Sequence, residues 1–263
     1  VQQRGLMKPI VDLTGKRVLV VGIANKSSIA YGCAEALKAA GADLAVTYLN
    51  AKAEPHVRPL AEELNASIIV PCDVRIPGEL ESVFDTIRAT WGRLDGIVHS
   101  IAFAPREDLH NSLVLCSAEG FAMAMDVSCH SFIRMAKLAL PLMVDGGSLQ
   151  TVSFFGANRV VEHYNLMGPV KAALEATVRT LASDLAPRRI HVHALSSGPI
   201  ATRAASGIDR FDELLEKTRE RTPDHQLVTI EQIGRISAFL ASDAGSAMTG
   251  STSYADHGFH VVA

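Results

Sequence analysis

Apolar runs closed by a turn residue and followed by a helical pattern recur along the whole chain, and this alternation constrains the fold most. Val18-Leu19-Val20-Val21 ends at Gly22, and helical composition follows from Ser28 to Ala40, stopped by Gly41. A short continuous apolar run of this kind reads as a strand buried on both faces. The same pattern gives strands at Leu44–Tyr48, Ser67–Pro71, Gly96–Ser100, Ser148–Val152, Ile190–Leu195 and Ser251–Tyr254. Helices are expected at Glu54–Leu64, Gly78–Trp91, Ala118–Met143, from Tyr164 to about Leu185, and at Ile230–Ala241. Residues 102–116 read as a long connection. Residues 200–223 read as polar and irregular, with a short helix near Phe211–Lys217. Strand and helix in alternation predict an α/β fold: a Rossmann-like, doubly wound parallel sheet with helices on both faces. No repeat, low-complexity tract or linker interrupts it, so residues 1–263 are expected to form a single domain, with 1–12 as an N-terminal extension.

Composition narrows the function classes. The chain has 263 residues, a 48% hydrophobic content and a formal charge of −3, enough to bury one large core. Without a long basic run, nucleic acid is not an expected partner. No apolar window reaches the length of a membrane span. Val1 to Met7 does not resemble a signal peptide, and Met7 is a candidate start. Cys33, Cys72, Cys116 and Cys129 show no CxxC spacing and read as thiols of a reducing compartment, which makes the expected location cytoplasmic.

In a doubly wound sheet, ligands sit beyond the carboxyl ends of the strands. The loops after Val21, Pro71, His99, Val152 and Leu195 are therefore expected to converge. Gly22-x5-Ser28-Ile29 joins a glycine turn to a helix start, where free N–H groups favour a pyrophosphate. A Ser N-cap needing no ligand is the simpler reading. Asp73, followed by Val74, can accept from an adenine amino group or can be a turn residue. After the second strand, Leu49 and Asn50 supply neither an acid nor an Arg, so the residues do not choose between NAD and NADP. His191 and His193 share one strand face, but no third ligand suggests a metal, and none is expected. No GxSxG elbow supports hydrolase chemistry. Tyr164 and Lys171 lie seven residues apart, two helical turns, which projects both from one helix face. A lysine ammonium beside a phenol would lower its pKa and ease proton donation. The plain alternative is a half-buried Tyr and a solvated Lys.

Taken together, Gly22-x5-Ser28-Ile29-Ala30, Asp73-Val74, His99-Ser100-Ile101-Ala102-Phe103-Ala104-Pro105, Tyr164-x6-Lys171, Gly198-Pro199-Ile200-Ala201-Thr202 and Arg203-Ala204-Ala205-Ser206-Gly207-Ile208 resemble the NADH-dependent enoyl-acyl-carrier-protein reductases. These are divergent short-chain dehydrogenases/reductases of bacterial fatty-acid synthesis. The resemblance runs from about Leu13 to Phe259. It implies reduction of the 2,3 double bond of an enoyl thioester carried by acyl-carrier protein or coenzyme A, with NADH as cofactor, in a homotetramer. Tyr164 would hydrogen-bond the thioester carbonyl, and Lys171 would hold the nicotinamide ribose. Gly22, Ser28 and Ile29 would hold the pyrophosphate, and Asp73 and Val74 the adenine. Ser100, Ile101, Ala102, Pro199, Ile200 and Thr202 would complete the cofactor path. Phe103, Ala104, Leu109, Phe154, Met167, Ala204, Ile208 and Phe211 would line the acyl pocket, and residues 203–217 would cover the substrate.

The chain departs from that pattern in places. Phe154 stands where the family usually has a second Tyr. Leu49 replaces a polar residue, Asp256-His257-Gly258 replaces Asp-Gly-Gly, and Pro169 is expected to distort the backbone near Lys171. Two rivals follow: a reductase of another small carbonyl or enone, and a weakly catalytic cofactor-binding paralogue.

Overall fold

The structure, a computed structural model, describes residues 10–202 and 210–262. Seven strands form one parallel sheet: β1 (Arg17–Val21), β2 (Asp43–Tyr48), β3 (Ile68–Pro71), β4 (Gly96–His99), β5 (Gly147–Phe154), β6 (Ile190–Ser197) and β7 (Thr252–Ala255). Their spatial order is β3-β2-β1-β4-β5-β6-β7. The helices are α1 (Ile29–Ala39), α2 (Glu54–Glu63), α3 (Glu79–Trp91), α4 (Arg106–His110), α5 (Ala118–Met125), α6 (Ser131–Ala139), α7 (Met167–Leu185), α8 (Phe211–Arg221), α9 (Ile230–Ala241) and α10 (Phe259–Val262). Parallel pairing follows from the long crossovers, because a parallel neighbour cannot be reached through a tight turn.

Alternation along β1 divides the core. Leu19 and Val21 pack with Phe84 of α3, Phe132 of α6 and Leu174 of α7, while Val18 and Val20 pack with Leu37 of α1 and Ile233 of α9. Helices α1 and α9 approach backbone to backbone, for a Cβ on Gly32 would lie 2.3 Å from the Ile230 carbonyl oxygen.

Four differences from the sequence expectations bear on the site. The helix expected over Ala118–Met143 is divided by a π turn at Asp126–His130 and ends at Ala139. Side-chain hydroxyls explain the division. Ser131 Oγ donates to the Val127 carbonyl at 2.7 Å, and Ser128 Oγ accepts from the Phe103 N–H at 2.9 Å. Pro141 then prevents continuation. Strands β5 and β6 run further than expected, which pairs Phe154 with Ser197 at their ends. The connection 102–116 contains α4, and α8 extends to Arg221. Ala204, Ile208 and the first part of the covering loop 203–217 lie outside the described residues, as does most of the 1–12 extension.

The fourth difference concerns Tyr164. It is not on α7, which begins at Met167, so the two-turn spacing to Lys171 does not place both on one helix face. His163 and Asn165 on either side of it have φ of +62° and +37°, left-handed values that interrupt a helix. Asn165 Nδ2 donates to the Leu109 carbonyl at 2.8 Å and fastens this turn to α4. Pro169 does not distort the backbone. It is the third residue of α7, where an N–H has little helical partner to lose.

Candidate active site

The strand order reverses between β1 and β4, and a cavity of about 730 Å³ opens there beyond the strand ends. That volume lies within the roughly 300–1,000 Å³ typical of ligand sites. One wall comes from the β1–α1 turn: Gly22, Ala24, Ser28 and Ile29. The next is Ser100 to Ala104 after β4. Val152, Ser153 and Phe154 of β5 form the floor beside Tyr164, Met167 and Lys171. Ser197 to Ile200 and Thr202 follow β6. Arg106, Leu109 and His110 of α4, with Phe211 of α8, complete it. No Asp or Glu is among these lining residues.

Gly22 is required by its surroundings. Its φ is +120°, and a Cβ there would lie 2.1 Å from the Ser100 carbonyl oxygen. Ser28 occupies the N-cap position of α1 without capping it. Its Oγ instead accepts from the N–H groups of Ala24 at 3.0 Å and Asn25 at 3.1 Å, which folds the turn and leaves the helix start facing the cavity. The first turn of α1 carries no acidic side chain, so the positive end of its dipole is not offset.

Tyr164 is 8% exposed and packs against Phe154, ring centroids 4.7 Å apart. Gly156 makes room for the tyrosine ring, since a Cβ there would lie 2.5 Å from Tyr164 Cδ1. Among the described residues the Tyr164 hydroxyl has no hydrogen-bond partner. Burial pushes its pKa above the ordinary phenol value, with no opposing contribution from Lys171. The expected lowering of the phenol by the lysine is therefore not found. Lys171 Nζ donates instead to the Val152 carbonyl at 2.7 Å, and burial pushes its ammonium down to about 8.

His99 sits beneath this floor, 1% exposed. Ser131 spends its hydroxyl proton on the Val127 carbonyl, so His99 Nε2 donates to Ser131 Oγ at 2.8 Å. Nδ1 then accepts from Thr151 Oγ1 at 2.8 Å. Burial, then the neighbouring Lys171 charge, pushes its pKa down to about 3. This neutral imidazole ties β4 to β5 and α6.

Asp73 and Val74 are not brought to the cavity wall. Val74 is buried in the core. Asp73 accepts from Arg75 Nε at 2.9 Å and from its backbone N–H at 3.0 Å, and that pairing holds its carboxyl below the ordinary range. This is the arrangement of a turn residue, with both carboxylate oxygens accepting from Arg75. His193 is wholly buried on β6, and among the described residues no group of three His, Cys, Asp or Glu could hold a metal ion.

Residues 22–260 match the family described as "Enoyl-(Acyl carrier protein) reductase". The chain belongs to this enoyl reductase family. It is 44% identical to an enoyl-[acyl-carrier-protein] reductase [NADH] of Nostoc sp., over 96% of this chain and 99% of that protein. The crystal structure of the Aquifex aeolicus enoyl-[acyl-carrier-protein] reductase (NADH) superposes with a TM-score of 0.92 at 42% identity, covering 96% of this chain and 98% of that one. An Anaplasma phagocytophilum enoyl reductase in complex with NAD gives 0.91 at 41% identity, over 96% of each chain.

Among the wall residues of this enoyl reductase that were not singled out from its sequence are Arg106 and His110. They sit one helical turn apart with Leu109 between them, a pattern visible only once α4 is known to be a helix. The intervening Asp108 turns away, accepting from the Ser117 N–H at 2.6 Å. The sequence neighbours balance in charge, but the fold gives the cavity only the bases of that turn.

The arrangement fits a dinucleotide. It offers an open helix start beside a glycine turn for a pyrophosphate, a buried ammonium, and, among the described residues, a wall without carboxylates.

Proposed function

We propose that this chain reduces the 2,3 double bond of an enoyl thioester on acyl-carrier protein, with NADH as the reductant, in fatty-acid synthesis. The observation that carries this reading is the Tyr164 hydroxyl: carried by a ring packed among apolar neighbours, lining the cavity, and without a protein partner among the described residues. A hydroxyl at the cavity wall with no protein partner is free to donate to an acceptor that arrives with the substrate. The named relatives, NADH enoyl reductases, support the same reaction.

NADH, when bound, supplies a hydride to the β-carbon of the substrate. Gly22, Ser28, Ile29, Ser100, Ile101, Ala102, Pro199, Ile200 and Thr202 would hold it, with Lys171 at the ribose. Tyr164 donates a hydrogen bond to the thioester carbonyl oxygen, where negative charge develops. Because its pKa is raised, the phenol keeps its proton through the working pH range and acts as a neutral donor. Lys171, held by Val152, keeps a positive charge on the floor of the site. Phe103, Ala104, Leu109, Phe154, Met167 and Phe211 keep water from the acyl chain.

The rest of the proposal concerns assembly and place. A homotetramer is supported by apolar side chains along α5 and α6, Phe121, Met123 and Ile133, each more than a third exposed. Four free cysteines accord with a cytoplasmic location. No helix among the described residues is long and apolar enough to cross a membrane.

NADH oxidation with crotonyl-acyl-carrier protein, crotonyl-coenzyme A and a panel of small ketones tests the reaction. Faster ketone than thioester reduction would make the chain a carbonyl reductase. NADH binding with no turnover of any of them would make it a cofactor-binding paralogue. Light scattering at micromolar concentration tests the assembly, and a monomeric mass would refute the tetramer.

A further inference from the structure

One carboxylate beside the site has no part in the reaction as described above. Glu175 follows Lys171 by one turn of α7, and the two are 4% and 6% exposed. They grip consecutive residues of β5. Lys171 Nζ donates to the Val152 carbonyl at 2.7 Å, and Ser153 Oγ donates to Glu175 Oε1 at 2.6 Å. The other carboxylate oxygen accepts from Asn158 Nδ2 at 3.2 Å, and the same amide reaches Tyr254 Oη at 2.9 Å.

These hydrogen bonds explain why the carboxylate can be buried, but not why a charge is there. Serine and asparagine are neutral, and a glutamine in that place would also find partners. A buried charge costs several kcal/mol unless an opposite charge lies close in the same low-dielectric region. On α7 that opposite charge is Lys171, one turn away and likewise buried; it lies beyond direct ion-pair distance, yet Cys129 and Glu175 both act to raise its pKa. We propose that Glu175 is a positioning residue for the reaction: anchored by Ser153 and Asn158, it is the counter-charge that keeps Lys171 an ammonium at the cavity floor.

The groups facing Lys171 come from four elements. Cys129 lies in the π turn, His99 ends β4, Tyr164 precedes α7, and Glu175 shares α7. Burial lowers the Lys171 pKa to about 8, and Cys129 and Glu175 both oppose that fall. His99 is neutral, with a pKa of about 3, and Tyr164 keeps its proton, so neither supplies a negative charge. Without Glu175 the ammonium would lose its proton at lower pH, and the ribose would lose its charged donor.

The inference rests on the proposed role of Lys171, but its first test does not require turnover. ¹⁵N-lysine labelling of the protein without nucleotide follows the Lys171 resonance through pH, assigned by comparison with Lys171→Arg. In Glu175→Gln the titration midpoint should fall by about one unit or more, the usual size for losing a close opposite charge. In Glu175→Asp, which keeps the charge, it should fall by clearly less. NADH binding, read by nucleotide fluorescence, should weaken on the alkaline side at a correspondingly lower pH in Glu175→Gln. Cys129→Ser separates the contribution of the thiol. An unchanged midpoint in Glu175→Gln, with only the melting temperature or the overall activity reduced, would make Glu175 a structural residue and overturn the inference. If Glu175→Gln does not fold, Ser153→Ala/Glu175→Met carries the same test, since it removes the charge together with the hydroxyl it holds. Should wild type bind NADH yet fail to reduce a crotonyl thioester, the proposed reaction fails while the titration still decides the role of Glu175.

Discussion

Gly156→Ala should cripple this protein although residue 156 does not itself line the cavity. A Cβ at position 156 would lie 2.5 Å from Tyr164 Cδ1 and 2.8 Å from Cε1. Ordinary van der Waals contact begins at about 3.4 Å, so the ring must retreat by about 1 Å. Phe154, packed on the ring at 4.7 Å, limits the directions available to it. A displacement of about 1 Å at a reacting centre can cost about 10²-fold in rate. Losing one oxyanion-type donor outright, as in Tyr164→Phe, costs about 10²- to 10³-fold. Both changes act through the same hydroxyl, so the double variant should be no slower than Tyr164→Phe alone. The assay is kcat for crotonyl thioester reduction at saturating NADH, with melting temperatures to register an overpacking cost of about 1–3 kcal/mol. A Gly156→Ala enzyme within threefold of wild type would refute the argument. So would a double variant whose losses multiply, because the two residues would then act independently.

Phe154→Tyr should change kcat less than about tenfold, since Tyr164 already supplies the donor that phenylalanine lacks; steady-state kinetics of the single variant check this. The cofactor preference should favour NADH by at least about tenfold in kcat/KM, about 1.4 kcal/mol. Of the cations near the second strand, Lys26 pairs with Glu63 at 3.2 Å and Arg58 with Glu54 at 2.7 Å, Lys52 is an exposed ammonium, and Leu49 and Asn50 provide no guanidinium for a 2′-phosphate. Paired kinetics with NADH and NADPH decide it, and an NADPH preference would refute it. Stability should fall on acidification. His99 and His193, with pKa values pushed by burial to about 3 and about 4, are neutral in the fold but bind protons near 6.5 once unfolded. The stability they permit is complete above about pH 6.5 and is lost as pH falls towards those values. Melting temperatures between pH 7 and 5 should drop, and drop less in His193→Leu, which removes one titrating group whose ring nitrogens have no hydrogen-bond partner among the described residues.

The sequence by itself determined the class of sheet, because apolar runs buried on both faces and alternating with helices call for parallel strands joined by crossovers, while the strand order came from the tertiary structure. It also marked most of the cavity wall, since motifs at strand ends converge wherever the strand order reverses. Gly22 and Ser100 were legible for that reason, whereas Phe154 and Ile200 entered through the resemblance to the enoyl reductases and Lys171 through its spacing from Tyr164. What it could not determine was side-chain chemistry set by neighbours distant in the chain. Helical spacing put Tyr164 and Lys171 on one face, but left-handed residues either side of Tyr164 take it off the helix. Desolvation then raised the phenol instead of a lysine lowering it. Asp73 stood at the right strand end, yet Arg75 claimed its carboxylate. Arg106 and His110 appeared as part of a balanced, featureless connection until α4 turned them inward and Asp108 away. Glu175 was one more residue on an amphipathic helix until β5 brought Ser153 against it. Periodicity reports which face of an element is buried, whereas the charge a group carries depends on what tertiary packing places within a few ångströms of it.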